Sequence, residues 1–271
     1  MTANENQNKF SLLKQIPTVL RARGFRLYTQ NGKRLVDLWL NGGAAILGHT
    51  PPNLLRELKN TASRGLYAPF PHFTESRFLK ALSKLFPNRS FRLYAAPPKE
   101  LAELFTSGAV KLWRPFTDAA VPFTIEKNSP PILVPVLSGI QLWRDNLPLG
   151  LCVVTAESEN QLANLPVSDI LSPVLLAVAT RGVYDLLSAQ DRAKPNFPRI
   201  AKALQTSKTW QRRGIYLYPK EKRESETWPA LFNKFLDAGF LLPPTPSQPL
   251  ILPGELFDGE EAKLAACLLE S

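Results

Sequence analysis

The sequence predicts an α/β protein, and three observations carry that prediction. Stretches with helical apolar periodicity alternate with short β-rich runs along most of the 271 residues. One run, "ILVPVL" (132–137), is continuously apolar and ends in Ser138-Gly139, the pattern of a strand buried on both faces and feeding a loop. From residue 196 the order helix, strand, helix, strand, helix recurs on a smaller scale, which sets off a separate C-terminal α/β unit.

Taken in order, "GFRLYTQNGKRLVDLWL" (24–40) reads as a β-hairpin. Two alternating runs flank Asn31-Gly32, a dipeptide suited to a type I′ turn because both central positions need positive φ. "NGGAAILGH" (41–49) then forms a small-residue loop that backbone can approach closely. Pro51-Pro52 opens a helix to about Arg64, with Leu54, Leu55 and Leu58 on one face. Thr74 reads as the N-cap of a second helix ending at Leu85, with Phe78, Leu79, Leu82 and Leu85 as its stripe. "SFRLYAA" (90–96) is a strand, and Pro97-Pro98-Lys99-Glu100 starts a helix ending near Phe105. Strands follow at 121–125, 132–137 and 149–154. "SPVLLAVATRGVYDLL" (172–187) is a long helix with Ser172 as cap and Pro173 at its first position. The C-terminal unit reads as helix 196–208, strand 213–218, helix 226–238, strand 249–252 and helix 258–269.

Composition narrows the function classes. Hydrophobic residues at 44% exclude a disordered chain. No run approaches the roughly 18 apolar residues of a spanning helix. "MTANENQNKF" has no signal-peptide core, so a soluble, cytoplasmic protein without a membrane partner is expected. Cys152 and Cys267, with His49 and His72, are too few for a disulfide framework or a zinc site, so no metal is expected. The net charge of +10 raises the question of nucleic acid. The best cluster (Lys208, Arg212, Arg213, Lys220, Lys222, Arg223) lacks the aromatic interleaving of an RNA-binding sheet and reads as a solvated basic face. Neither Ser107 nor Ser138 has the G-x-S-x-G setting of a nucleophile.

One set of motifs is more specific. Asn31-Gly32, Arg34-Leu35-Val36-Asp37, Gly42-Gly43, and Leu47-Gly48-His49 with Pro52 follow one another at the spacing of a known signature, and "RGLYAPFPHFTESRFLKALSKLFP" (64–87) continues it. This N-terminal region resembles the class III aminotransferases, with glutamate-1-semialdehyde aminomutase among them. "SPVLLAVATRGVYDLL" resembles that family's NPxxxAAxxATLxLL helix, and "LFNKFLDAGFLLPPTPSQPLILPGELFDGEEAKLA" (231–265) resembles its last unit. The resemblance covers about 1–95 and 172–271.

The resemblance implies a shortened fold-type I pyridoxal-phosphate-transferase architecture. That means a large domain with a mostly parallel sheet flanked by helices, plus a small C-terminal α/β domain. The expected divisions are an N-terminal hairpin segment (1–50) packing with the small domain, a reduced large domain (51–188) and the small domain itself (189–271). The middle, 96–171, departs from the family. Its phosphate-binding Ser-Gly-Thr-Glu-Ala turn reads Ala95-Ala96-Pro97-Pro98-Lys99 here, which removes two N–H donors and the hydroxyl. The family's D-E-x-x-[ST]-G-x-[RQ] falls on Val134 to Gln141, so Val134 stands where the pyridine-pairing aspartate is expected. "NLPLGLCVV" (146–154) matches the phrase that follows the Schiff-base lysine, yet no lysine occurs from 128 to 193.

The expectation is therefore a non-catalytic scaffold with the ancestral pyridoxal phosphate lost and no catalytic residue. Its vestigial cleft would comprise Asn41, Gly42, Gly43, His49, Val134, Ser138, Gly139 and Gln141, with His49 structural rather than a base. The resemblance further implies a homodimer, or partnership with an intact homologous aminotransferase. An enzyme with a trimmed site for a B6 compound or a small amino or keto acid is the alternative. Nucleic-acid binding through the 208–223 cluster is the weakest of the three readings.

Overall fold

The computed structural model describes residues 12–118, 123, 125, 129–134, 142–144, 147–193, 195–221 and 223–271. The chain opens with strands β1 (Val19–Arg23), β2 (Arg26–Thr29) and β3 (Arg34–Asp37), then helices α1 (Pro52–Ala62) and α2 (Thr74–Leu85). β4 (Ser90–Tyr94), α3 (Lys99–Thr106), β5 (Lys111–Leu112) and β6 (Ile132–Val134) follow. Next come β7 (Leu142–Arg144), β8 (Leu147–Leu149), β9 (Cys152–Ala156) and α4 (Pro173–Ser188). The last elements are α5 (Pro198–Thr206), β10 (Trp210–Arg213), β11 (Tyr216–Pro219), α6 (Trp228–Asp237), β12 (Phe240–Leu241), β13 (Leu250–Ile251) and α7 (Asp258–Leu269). They fall into two compact units: Met1–His49 with Phe116–Ala120 and Asp191–Ser271, and Thr50–Pro115 with Val121–Gln190.

In the first unit β1, β2, β3 and β12 form a sheet in that order, with β12 parallel to β3. The β2–β3 hairpin is present, with Leu27 opposite Leu35, but its turn is not type I′. Thr29 N–H donates to Lys33 O at 3.0 Å and Gly32 N–H to Thr29 O at 3.1 Å. Only Gly32, at φ +79, enters the left-handed region. This is a three-residue loop closed by a left-handed glycine. Asn31 keeps an ordinary φ and uses its Oδ1 to accept from Thr29 Oγ1–H at 2.6 Å and Lys33 N–H at 3.2 Å. The side-chain bonds fix the register that the dipeptide alone leaves open.

A second sheet of this unit runs β10, β11, β13. Leu38 ties the two sheets together, donating to Leu241 O and accepting from Ile251 N–H at 2.7 Å. Trp210, Trp228, Phe232, Phe235 and Phe240 fill the core between sheets and helices and are no more than 1% exposed. Phe235 and Phe240 meet edge-on at 6.4 Å.

The second unit carries the sheet β4-β9-β6-β5 and the hairpin β7–β8. Here the mostly parallel expectation gives way to a mixed sheet. β5 and β6 are parallel, but β9 runs antiparallel to both its neighbours, β4 and β6. An antiparallel neighbour needs none of the long crossover that a parallel strand requires. β6 is buried at all three residues, in keeping with its continuous apolar character. The last three positions of the run 132–137, and most of the strand expected at 121–125, lie outside the described residues.

Helices α1 and α2 both pack on α4. α1 starts at Pro52 behind Pro51, where a missing N–H costs nothing, and buries Leu54 while Leu55 stays 46% exposed. The cap of α2 is Phe73 rather than Thr74. Thr74 is instead the first helical residue, its hydroxyl 3.1 Å from His72 Nδ1.

Candidate functional site

In the first unit the glycine loop is built on one buried carboxylate. Asp37 ends β3, and its side chain is 2% exposed. Its Oδ1 accepts from the backbone N–H groups of Trp39 and Leu40, both at 2.8 Å, and its Oδ2 lies 2.8 Å from His49 Nε2. These bonds hold a run of left-handed residues: Leu40 (φ 47), Asn41 (φ 51), Gly42 (φ 66) and Gly43 (φ 101). For Leu40 and Asn41 that conformation costs roughly 1–2 kcal/mol per residue, so it persists only because the surroundings impose it. His49 is fixed from both sides: its ring meets Asp37, and its N–H donates to Gly24 O at 2.8 Å. Gly48 must be glycine here, because a Cβ would stand 3.2 Å from Gly24 O at φ +98.

Arg192 closes the far side of the same loop. Its Nε donates to Ile46 O at 3.1 Å, its Nη2 to Leu252 O, and its guanidinium lies 5.4 Å from the Phe25 ring centre. Burial pushes the Arg192 guanidinium down to about 10, slightly opposed by Tyr216. The sequence reading missed both Arg192 and the hub role of Asp37. The motif does contain Asp37, and an aspartate followed by two backbone donors is a recognisable turn signal. Nothing local marks Arg192, whose partners lie 146 and 60 residues away.

In the second unit the relevant end of the sheet is formed by the C-terminal ends of β4 and β6 and the N-terminal end of β9. Tyr94 pairs with Cys152, and Val134 with Val153. Val134 is 3% exposed and Cys152 is fully buried. Burial pushes the Cys152 thiol far above the ordinary thiol range, so it is no nucleophile. Ser138, Gly139 and Gln141 lie outside the described residues.

The turn after β4 is occupied by the chain itself. Ala95 N–H donates to the Asp169 carboxylate at 2.9 Å, and Ala95 O accepts from Gly150 N–H at 2.8 Å. Upstream, Leu93 N–H donates to Ser168 Oγ at 3.1 Å, and Asp169 N–H donates to Leu93 O at 2.8 Å. Tyr94 Oη–H reaches Pro166 O at 2.6 Å. Segment 166–169 thus lies along the strand end like a short extra strand. α3 begins after Pro97 and Pro98, has no side-chain cap, and carries Glu100 in its first turn. An acidic residue at that position answers the helix dipole internally.

Three members of the basic cluster are engaged in the fold, and Lys222 lies outside the described residues. Arg212 donates to Gly214 O and Pro195 O, Lys220 Nζ donates to Ser207 O, and Arg223 lies over the Trp210 ring. Among the described residues no group of three or more His, Cys, Asp and Glu is arranged to hold a metal ion. Nor is any helix among them long and apolar enough to cross a membrane.

With this geometry in view, comparison with known proteins gives a consistent fold. No known protein-family profile matches the chain. It is 27% identical to an uncharacterised protein of Treponema pallidum (strain Nichols), over 89% of this chain and 91% of that protein. It is also 27% identical to one of Borreliella burgdorferi, over 92% and 89%. A shorter match, 30% over 107 residues, is to glutamate-1-semialdehyde 2,1-aminomutase of Sorangium cellulosum, covering 39% of this chain and 24% of the enzyme. Among solved structures, the ornithine δ-aminotransferase of Plasmodium falciparum superposes with a TM-score of 0.65 at 13% identity, over 94% of this chain and 92% of that one. The acetylornithine aminotransferase of Elizabethkingia anophelis gives 0.61 at 13%, over 94% of each. The fold is that of these class III aminotransferases.

Proposed function

We propose that this chain is a non-catalytic protein on an aminotransferase scaffold, acting by binding rather than by transamination. It works as a homodimer or beside an intact homologous aminotransferase, without bound pyridoxal phosphate. One observation carries the reading: the Asp169 carboxylate already accepts the Ala95 N–H at the turn where the resembled family seats a phosphate. A phosphate there would meet a carboxylate, two prolines and Glu100 instead of open N–H donors. The residues present do not fit the cofactor. Val134 supports the same reading, since a valine cannot pair with a pyridinium nitrogen. So does the absence of lysine between 128 and 193.

Exposed apolar residues in one stretch, Leu55, Tyr67, Phe70 and Phe73, support a protein partner. The test adds pyridoxal 5′-phosphate to the purified protein. The expected result is neither a visible absorbance change nor a thermal shift, and a saturable coloured adduct overturns the reading. Light scattering at micromolar concentration is expected to return a dimer, and a monomer without any partner refutes the dimeric scaffold.

A further inference from the structure

The sheet of the second unit has an opposite end, away from Tyr94 and Val134. Antiparallel pairing sets Ser90, the start of β4, against Ala156, the end of β9, with Ile132 at the start of β6 beside Thr155. A cavity of about 440 Å³ opens there, lined by Leu85, Phe86, Arg89, Phe123, Ile125 and Glu157 among others. That volume lies within the range of small-molecule sites.

Arg89 is the unusual resident. Its side chain is only 7% exposed. Its two terminal nitrogens reach Ser129 Oγ at 3.4 Å, at the limit of hydrogen bonding, and Nη1 lies 3.6 Å from Glu157. Its buried Nε has no hydrogen-bond partner among the described residues. Burial pulls the guanidinium below the usual arginine range, with Glu157 opposing. Among the described residues a charged group is therefore held out of water with only weak partners, a state that an incoming oxyanion relieves.

The terminal edge of a guanidinium, with its two Nη–H groups, matches the two oxygens of a carboxylate. Charge decides between anions: one arginine with Glu157 beside it suits a monoanion and opposes a dianion such as phosphate. The partly exposed Phe123 and Ile125, with the edges of Leu85 and Phe86, offer apolar walls. We propose that this cavity binds a small organic acid, its carboxylate on the weakly held terminal nitrogens of Arg89 and an aromatic or branched aliphatic body against Phe123 and Ile125. The site is independent of the reading given to the other end of the sheet.

Ligand-observed NMR titration of the full chain tests it, with phenylacetate and isovalerate set against phenylacetamide, isovaleramide and inorganic phosphate. Saturable binding of the acids is expected, at least tenfold tighter than of the amides or phosphate. Arg89→Gln is expected to weaken the acids at least tenfold. Ile125→Trp, which fills the cavity and leaves Arg89 in place, is expected to abolish binding, and it decides the matter if Arg89→Gln fails to fold. Absence of saturation by either acid overturns the proposal. So does equal binding of acids and amides, phosphate binding as tightly as the acids, or wild-type affinity in the variants.

Discussion

Asp37 is the most informative single position in the first unit. Replacing it with alanine removes the acceptor for Trp39 N–H and Leu40 N–H and the partner of His49, three contacts of 2.8 Å. Hydrogen bonds to a charged group contribute roughly 1.5–3 kcal/mol each, and a buried donor left unsatisfied costs about 1–3 kcal/mol. Desolvating the carboxylate offsets part of the gain, so the three bonds do not simply add. The left-handed loop 40–43 then loses what imposes it, and the expected loss for Asp37→Ala is about 3–5 kcal/mol. Asp37→Asn keeps an oxygen acceptor for both backbone donors and gives up only the charge and the bond to His49; about 1–2 kcal/mol is expected.

Urea unfolding followed by tryptophan fluorescence measures both variants. Trp39 is a local probe, its Nε1–H held by Gln248 at 2.7 Å. The midpoint is expected to fall with an unchanged slope, which marks lost stability rather than a changed unfolded state. If Asp37→Ala costs under about 1 kcal/mol, or Asp37→Asn is as damaging as Asp37→Ala, the carboxylate is not the hub of the loop.

Three further outcomes are expected. Glu260 is pushed up by burial, but its hydrogen bonds from Arg26 and Phe257 N–H and the charges of Arg26 and Arg34 outweigh that and leave it below the usual carboxylate range. Its stability contribution is therefore present above the unfolded carboxylate pKa and lost as pH falls through the lower folded value. Arg26→Met should flatten that acid limb in a urea series across pH, and an unchanged profile would count against it. Burial, the main cause, raises Tyr94 from 10.0 to about 12, so its contribution holds below pH 10.0 and fades as pH climbs towards 12. Alkaline melts should show Tyr94→Phe losing less over that window than wild type, and equal losses would refute the assignment. Gly214→Ala should fail to fold, as judged by circular dichroism. A Cβ there stands 1.8 Å from Phe116 O on a backbone at φ +57, and such a clash costs upward of about 4 kcal/mol.

Elements with strong local signals were legible from sequence. Helix α7 at Asp258–Leu269 and α2 at Thr74–Leu85 have the bounds expected from sequence. α1 and α4 begin where proline can sit without cost. The elements not anticipated are those whose partners are remote. β12 is two residues long and exists by pairing in parallel with β3 some two hundred residues earlier. β1 exposes most of its side chains and is a strand through its pairing with β2. The turn at Asn31-Gly32 was misread because its type depends on side-chain bonds that the dipeptide does not specify.

By itself the sequence determined the α/β class, the hairpin and the glycine loop. Each follows from periodicity or from a backbone requirement carried by neighbouring residues. Only the tertiary structure decided which remote groups meet. It brought Asp169 to Ala95, His49 to Asp37 and Glu157 to Arg89. It also turned β9 against its neighbours and set Arg89 beside a cavity at the far end of the sheet. Backbone preference is local, whereas satisfying a buried charge or donor requires a partner wherever the fold can supply one.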